Sequence, residues 1–154
     1  MRITRALQNT LLRLRNTIPL ANGIEAGTHK HGITRAADAA YTQPFLLVKQ
    51  GADAQHVSLV AAVTDVPLGT NYENTKAAED AVSVMLLGKG ETKLMVADGA
   101  IAAGQRVTPS GSVAGYCAGY VSGTASQVGI ALTAAVTAGD LVEVLDCVPR
   151  TITA

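Results

Sequence analysis

The chain has 154 residues, and 12 Lys+Arg stand against 12 Asp+Glu, a formal charge of zero that argues against long-range attraction of the whole molecule to nucleic acid or a membrane surface. The length suits one domain with a respectable core and leaves no room for a multidomain enzyme. No run reaches the ~18 apolar residues of a membrane span. Hydrophobic residues make up 48%, charged residues 16%, Trp is absent and Phe45 is the lone Phe. Ala, Thr, Val and Gly dominate instead, a supply suited to strands and turns more than to a helical bundle. The zero is a sum of opposites: residues 1–35 hold Arg2, Arg5, Arg13, Arg15, Lys30 and Arg35 against Glu25 alone, a balance of +5, and the remainder carries −5.

At the N-terminus, Ile3, Leu7, Leu11, Leu14 and Ile18 recur at a spacing that puts them on one helical face, with Arg2, Arg5, Arg13 and Arg15 to the sides. An amphipathic helix of about 15 residues is one expectation. Thr4, Asn9, Thr10, Asn16 and Thr17 lower helix propensity, so an extended arm that orders on a partner is the other. Pro19 ends either element. The acid-free start imitates a mitochondrial presequence, but it lacks the cleavage pattern and apolar core of a secretory signal. From Ala21 to Gln43 the sequence is Gly-, Ala- and Thr-rich without a period and reads as an irregular connector with room for one short strand. The expected division is a basic arm over 1–20, a connector over 21–43 and a β-rich body over 44–154.

After Pro44 the pattern changes. Phe45 to Lys49, Val57 to Val63, Val82 to Leu87 and Lys93 to Val96 are short apolar or alternating runs bounded by turn residues, and these predict strands. Asn71 to Asp80 suits a surface loop or one helical turn. Gly88-Lys89-Gly90 reads as a tight hairpin turn. Val107 to Gly139 contains no Asp, Glu, Lys or Arg, yet Pro109 and its glycines make it a poor membrane helix, so a core or subunit interface is expected. Within it, alternation over Val113 to Val121 predicts Tyr116 and Tyr120 on one side and Val113, Cys117 and Val121 on the other. Ala103-Gly104-Gln105-Arg106-Val107 and Ala138-Gly139-Asp140-Leu141-Val142 share Ala-Gly-x-x-Val at a separation of 35, each placing a turn glycine before a β-rich segment. Two copies do not make a solenoid. A final strand runs from Leu141 to Val148, with Pro149 expected to stop it.

Chemistry-bearing patterns are nearly absent. There is no nucleophile elbow, phosphate loop, dinucleotide fingerprint or metalloprotease helix, and Gly99 to Gly104 lacks the strand-turn-helix setting of a phosphate site. His29-Lys30-His31 is the one arrangement that suggests metal, because alternation aims both imidazoles to one side. Only His56 and distant carboxylates remain to complete its shell, so a solvated loop is preferred. Glu79-Asp80 and Asp140, Glu143, Asp146 read as solvated acidic surface, Asp140 in particular as a turn residue. Cys117 and Cys147 form no CxxC pair and read as free, partly buried thiols. No catalytic residue, metal or cofactor is expected. The basic N-terminus is open to three readings: a solvated end, a phosphate-contacting segment, or an arm whose apolar residues dock on another protein while its arginines meet acidic groups.

Val96-Ala97-Asp98-Gly99-Ala100-Ile101-Ala102-Ala103-Gly104-Gln105-Arg106-Val107, Val128-Gly129-Ile130-Ala131-Leu132-Thr133-Ala134-Ala135 and Ala138-Gly139-Asp140-Leu141-Val142-Glu143-Val144 together resemble the capsid cement, or head decoration, proteins of tailed bacteriophages. The resemblance covers about residues 80 to 148 and lies in an Ala-Gly turn, a Val strand, an apolar Gly-containing strand and a last valine-rich strand. It implies a mainly β fold, a small barrel or sandwich-like domain. It further implies a homotrimer on the outer capsid surface of the virion, bridging neighbouring copies of the major capsid protein and resisting internal DNA pressure, with no catalytic residues. The long Arg-rich start departs from many members of that family. Arg2, Ile3, Arg5, Leu7, Leu11, Arg13, Leu14, Arg15 and Ile18 are the candidate capsid-binding residues, and Tyr116 and Tyr120 the candidates for self-association. Two other classes stay in view: a small metal-binding enzyme around His29, His31 and His56, and a basic-armed nucleic-acid-binding module.

Overall fold

The computed structural model describes residues 32–153, which form ten strands and no helix. Strands β1 (Gly32–Ala37), β2 (Leu47–Gln50), β3 (His56–Leu59), β4 (Gly69–Asn71) and β5 (Ala81–Leu86) close into a barrel in the order β1-β3-β2-β4-β5. Strands β6 (Thr92–Val96), β7 (Arg106–Pro109), β8 (Cys117–Gly119), β9 (Ala125–Ala131) and β10 (Leu141–Ile152) form a second sheet in the order β6-β10-β9-β7-β8. The fold is mainly β and contains a barrel, as the sequence implies. Strand β1 comes from the stretch read as a connector, and its pairing with both β3 and β5 closes the barrel. The body therefore reaches back at least to Gly32.

The second sheet repeats the first. Ile33 faces Val84 as Lys93 faces Val144, and Thr70 faces Met85 as Ile130 faces Leu145, a displacement of sixty residues throughout. Strands β2 and β7 correspond with one residue less: Val48 faces Leu59 as Val107 faces Gly119. The parallel pairing that closes the barrel, Ala37 with Val57, returns as a single parallel bridge between Ala97 and Cys117. Loop hydrogen bonds repeat as well: Ala37 N to Asp80 O (2.9 Å) matches Ala97 N to Asp140 O (2.8 Å), and Thr75 N to Tyr41 O matches Ala135 N to Ile101 O. Ala37, Tyr41, Val48, Val57, Val82 and Val84 are fully buried, and so are their counterparts Ala97, Ile101, Val107, Cys117, Val142 and Val144. The molecule is a tandem pair of five-stranded units.

Each unit alone is small, and the joint lets them share a core. Leu47, Val60 and Leu87 of the first unit lie in one apolar cluster with Met95, Val107 and Val142 of the second, while Val96 and Tyr116 pack into the barrel's cluster. Backbone bonds stitch the joint: Leu47 N to Gly115 O (2.6 Å), Gly115 N to Val60 O (2.7 Å) and Ser126 N to Val63 O (2.7 Å). Gly115 has φ 79, and a Cβ there would stand 3.0 Å from atoms of both Leu46 and Leu59. The close approach thus requires glycine.

Three local expectations change. Gly88 and Gly90 do take positive φ, but the segment carries the chain from barrel to sheet and is not a hairpin turn. Pro149 does not stop the last strand, which continues to Ile152. It sits where the register of β10 against β9 shifts between Asp146 and Arg150, and a bulge asks no N–H of it. The Ala-Gly echo joins two different turns of one unit: Gly104 and Gly139 both have positive φ ahead of a strand, and their first-unit counterparts are Phe45 and Glu79, also at positive φ.

Candidate interaction surfaces

The joint makes the two free ends of the pair readable by comparison. Leu46, Leu47 and Val60, which meet the second unit, correspond to Gln105, Arg106 and Tyr120; Val60 N bonds Leu47 O as Tyr120 N bonds Arg106 O. Leu47 is fully buried and Arg106 is exposed. Gln105 accepts from Ala102 N at 3.0 Å and donates to Tyr120 O at 3.3 Å, and the Tyr120 hydroxyl donates to Gly123 O at 2.8 Å. Polar side chains thus close the end where a further unit would have to stack, as terminal repeats do in arrays.

The opposite end is closed the same way. Tyr116, in the joint, is half-buried and accepts from Gln43 Nε2 at 2.7 Å; its first-unit counterpart is His56. The His56 ring lies 2.7 Å from Asp53 through Nδ1 and 3.1 Å from Glu79 through Nε2. These bonds, Asp53 first and Glu79 second, push the imidazole up to about 8, while the bond from His56 holds Asp53 below the usual carboxylate range. Glu79 reaches His56 from a loop whose next residue, Asp80, accepts from Lys76 N and Ala77 N.

The residues singled out in the sequence scatter over this frame. Arg2, Ile3, Arg5, Leu7, Leu11, Arg13, Leu14, Arg15 and Ile18 lie outside the described residues, as do His29 and His31. Among the described residues no group of His, Cys, Asp and Glu is arranged to hold a metal ion. The Tyr116 hydroxyl oxygen accepts from Gln43, and the Tyr120 hydroxyl donates to Gly123 O. The alternation around them is overturned, because β8 covers only Cys117–Gly119: Cys117 is buried while Val113 and Val121 sit exposed in the flanking turns. The acidic residues are not simply solvated. Asp140 accepts from Val136 N (2.9 Å) and Thr137 N (2.8 Å), and these amides hold its pKa down. Asp146 is buried on the inward face of β10 and accepts from Glu91 N at 2.7 Å. Both cysteines are free, and burial pushes the Cys117 thiol up to about 12.

One surface was not read from the sequence. On the outer face of β6, β10 and β9, Leu94, Ile130, Leu132, Leu141 and Leu145 are each more than 40% exposed. Leu145 stands opposite Ile130, Leu94 stands opposite Glu143, and Leu132 N bonds Glu143 O. Glu143 is thereby ringed by leucines, and its carboxylate has no ion pair among the described residues. The first unit holds the same backbone and register with Thr34, Thr70, Tyr72, Ala81, Ser83 and Met85 at the matching places. Of these, Tyr72 and Met85 are also apolar, and Thr70 is buried where Ile130 is exposed. The signal for the apolar face in the sequence was the run Leu141 to Leu145, apolar at both parities except for Glu143.

Fold and surfaces together define a class: an all-β tandem of two capped five-stranded units. A solved structure with a similar fold is the crystal structure of the head fiber gp8.5 N base of bacteriophage phi29, at a TM-score of 0.59 and 19% identity, covering 77% of this chain and 95% of that one. The likeness is one of fold. No family model matches the sequence, and no curated protein does.

Proposed function

We propose that the chain is a non-catalytic structural component of a tailed-phage head, a cement or decoration protein that binds the outer surface of the shell and stabilises the lattice of the major capsid protein. The observation that carries this reading is the fold shared with nearly the whole of a phage head-fiber base, joined to the cement-like pattern over Val96–Val107, Val128–Ala135 and Ala138–Val144. Binding the assembled lattice better than free subunits stabilises that lattice by mass action. A homotrimer would gain strength from three simultaneous weak contacts. The N-terminal segment, with its arginines and apolar residues, adds a contact suited to an acidic, partly apolar shell surface.

A second reading, the platform of a longer head appendage, is favoured by the neighbour's being a fiber base. Co-sedimentation of the purified protein with mature shells separates these proposals from the other classes. Saturable pelleting, with unassembled capsid protein left unbound, is expected. No pelleting with any assembled shell, or binding to random-sequence DNA with a steep salt dependence, would overturn the structural reading. A projection beyond the two β units on decorated particles would favour the platform.

A further inference from the structure

We propose that copies of this chain meet through the outer face of β6, β10 and β9, with Glu143 of one copy seated on Arg106 of another. The register of the sheet carries the argument. Leu145 stands opposite Ile130, and Ile130 stands opposite Arg106, so these three side chains form one row across β10, β9 and β7 on the same side of the sheet. Glu143 stands two residues before Leu145 and therefore on that side as well. Two strand spacings of ~4.8 Å and a rise of ~6.8 Å along β10 set the Cα atoms of Glu143 and Arg106 about 12 Å apart. Between them lie Ile130 and, just past the end of β9, Leu132, both exposed. Arg106 is exposed and Glu143 half-buried, and neither has an ion-pair partner among the described residues.

An apolar centre with a cation on one side and an anion on the other complements itself. A second copy presents an arginine where the first presents a glutamate, and a glutamate where the first presents an arginine, while Ile130 and Leu132 meet apolar side chains. Sheets packed face to face stand about 10 Å apart, a gap that an arginine and a glutamate close between them. Inside such a contact each charged pair is held in surroundings drier than open water and gains strength from it. Every charge is paired once the set of copies closes, as two about a two-fold axis or three about a three-fold. The choice of three rests on the homotrimer proposed above; the face itself does not, and shell binding is a separate matter. The contact differs from the one the sequence suggested through Tyr116 and Tyr120.

The test is charge exchange in the full-length protein, read by sedimentation velocity over a wide range of concentration. Glu143→Arg and Arg106→Glu, each alone, set like charges together and should weaken self-association by about tenfold or more. The variant carrying both substitutions should associate as the wild type does. A photo-crosslinking residue at position 130 supplies an independent readout, with a product joining two copies through this face expected. A wild type that stays monomeric, single variants that associate like the wild type, or a double variant no better than the singles overturns the proposal. A crosslink from position 130 to capsid protein on shells, with none between copies, gives the face to the shell and overturns it too. Co-sedimentation with shells tests the capsid reading on its own, so a monomeric protein that still pellets with them would sink the contact and leave that reading intact.

Discussion

His56 titrates between two carboxylates from different loops, and the sign of its effect follows from the direction of its shift. Its folded pKa, about 8, lies above the ordinary 6.5, so the clamp contributes fully below pH 6.5 and is lost as pH rises through 8. Asp53, held low, keeps its part above the ordinary carboxylate range and loses it only in acid. Thermal melting of the wild type should therefore fall between pH 6.5 and 9 relative to His56→Gln, which should lack that slope; parallel curves would refute the clamp. Asn71 is the other telling residue. Its side chain accepts from Leu46 N (2.6 Å) and donates to Gln43 O (2.9 Å) and Glu73 O (2.7 Å). The second unit has Ala131 there, because Gln105 N, the counterpart of Leu46 N, bonds Ala102 O instead. Asn71→Ala should cost about 2–3 kcal/mol in denaturant unfolding, the penalty of stranding a buried amide, despite alanine's acceptance sixty residues on. Neither role was legible beforehand, since each rests on a partner brought in from a distant loop.

At the scale of elements, alternation and turn residues located β2, β5 and β6 to within a residue or two, because burial on one face imposes its own period, while β3 and β10 end four residues from where their runs do and β4 was not read as a strand. The repeat stayed hidden. Val82 and Val84 match Val142 and Val144, and Asp80 matches Asp140, but Tyr41 answers to Ile101, Val57 to Cys117 and Asn71 to Ala131. The two units fill equivalent space with different chemistry, and backbone bonds carry the likeness. The strand ends tell where the units stop. Gln105 and Arg106 cap the end that Leu46 and Leu47 use for the joint, so the double variant Gln105→Leu, Arg106→Leu should convert a closed end into a sticky one. Concentration-dependent association in sedimentation velocity is the expected result, a head-to-tail contact that does not close. An unchanged monomer or trimer distribution would show that the end is not a stacking surface.

For the whole molecule, the shared core predicts one cooperative unit. Leu47 belongs to the first unit by sequence and to the second unit's cluster by packing. Leu47→Ala should therefore lower stability by about 2–5 kcal/mol while both units still melt in one transition; two separated transitions would mean the units fold independently. The neutral total charge also changes meaning at this scale. A basic start precedes a body whose described acids mostly close loops, clamp His56 or, in Glu143, wait within a leucine-lined face. The proposed structural role is tested most directly by imaging mature particles decorated with the full-length protein by electron cryomicroscopy. Density for the paired five-stranded units should appear at symmetry-related positions on the outer surface, spanning neighbouring capsid subunits. Particles bare at saturating protein, or density confined to the lumen, would contradict it.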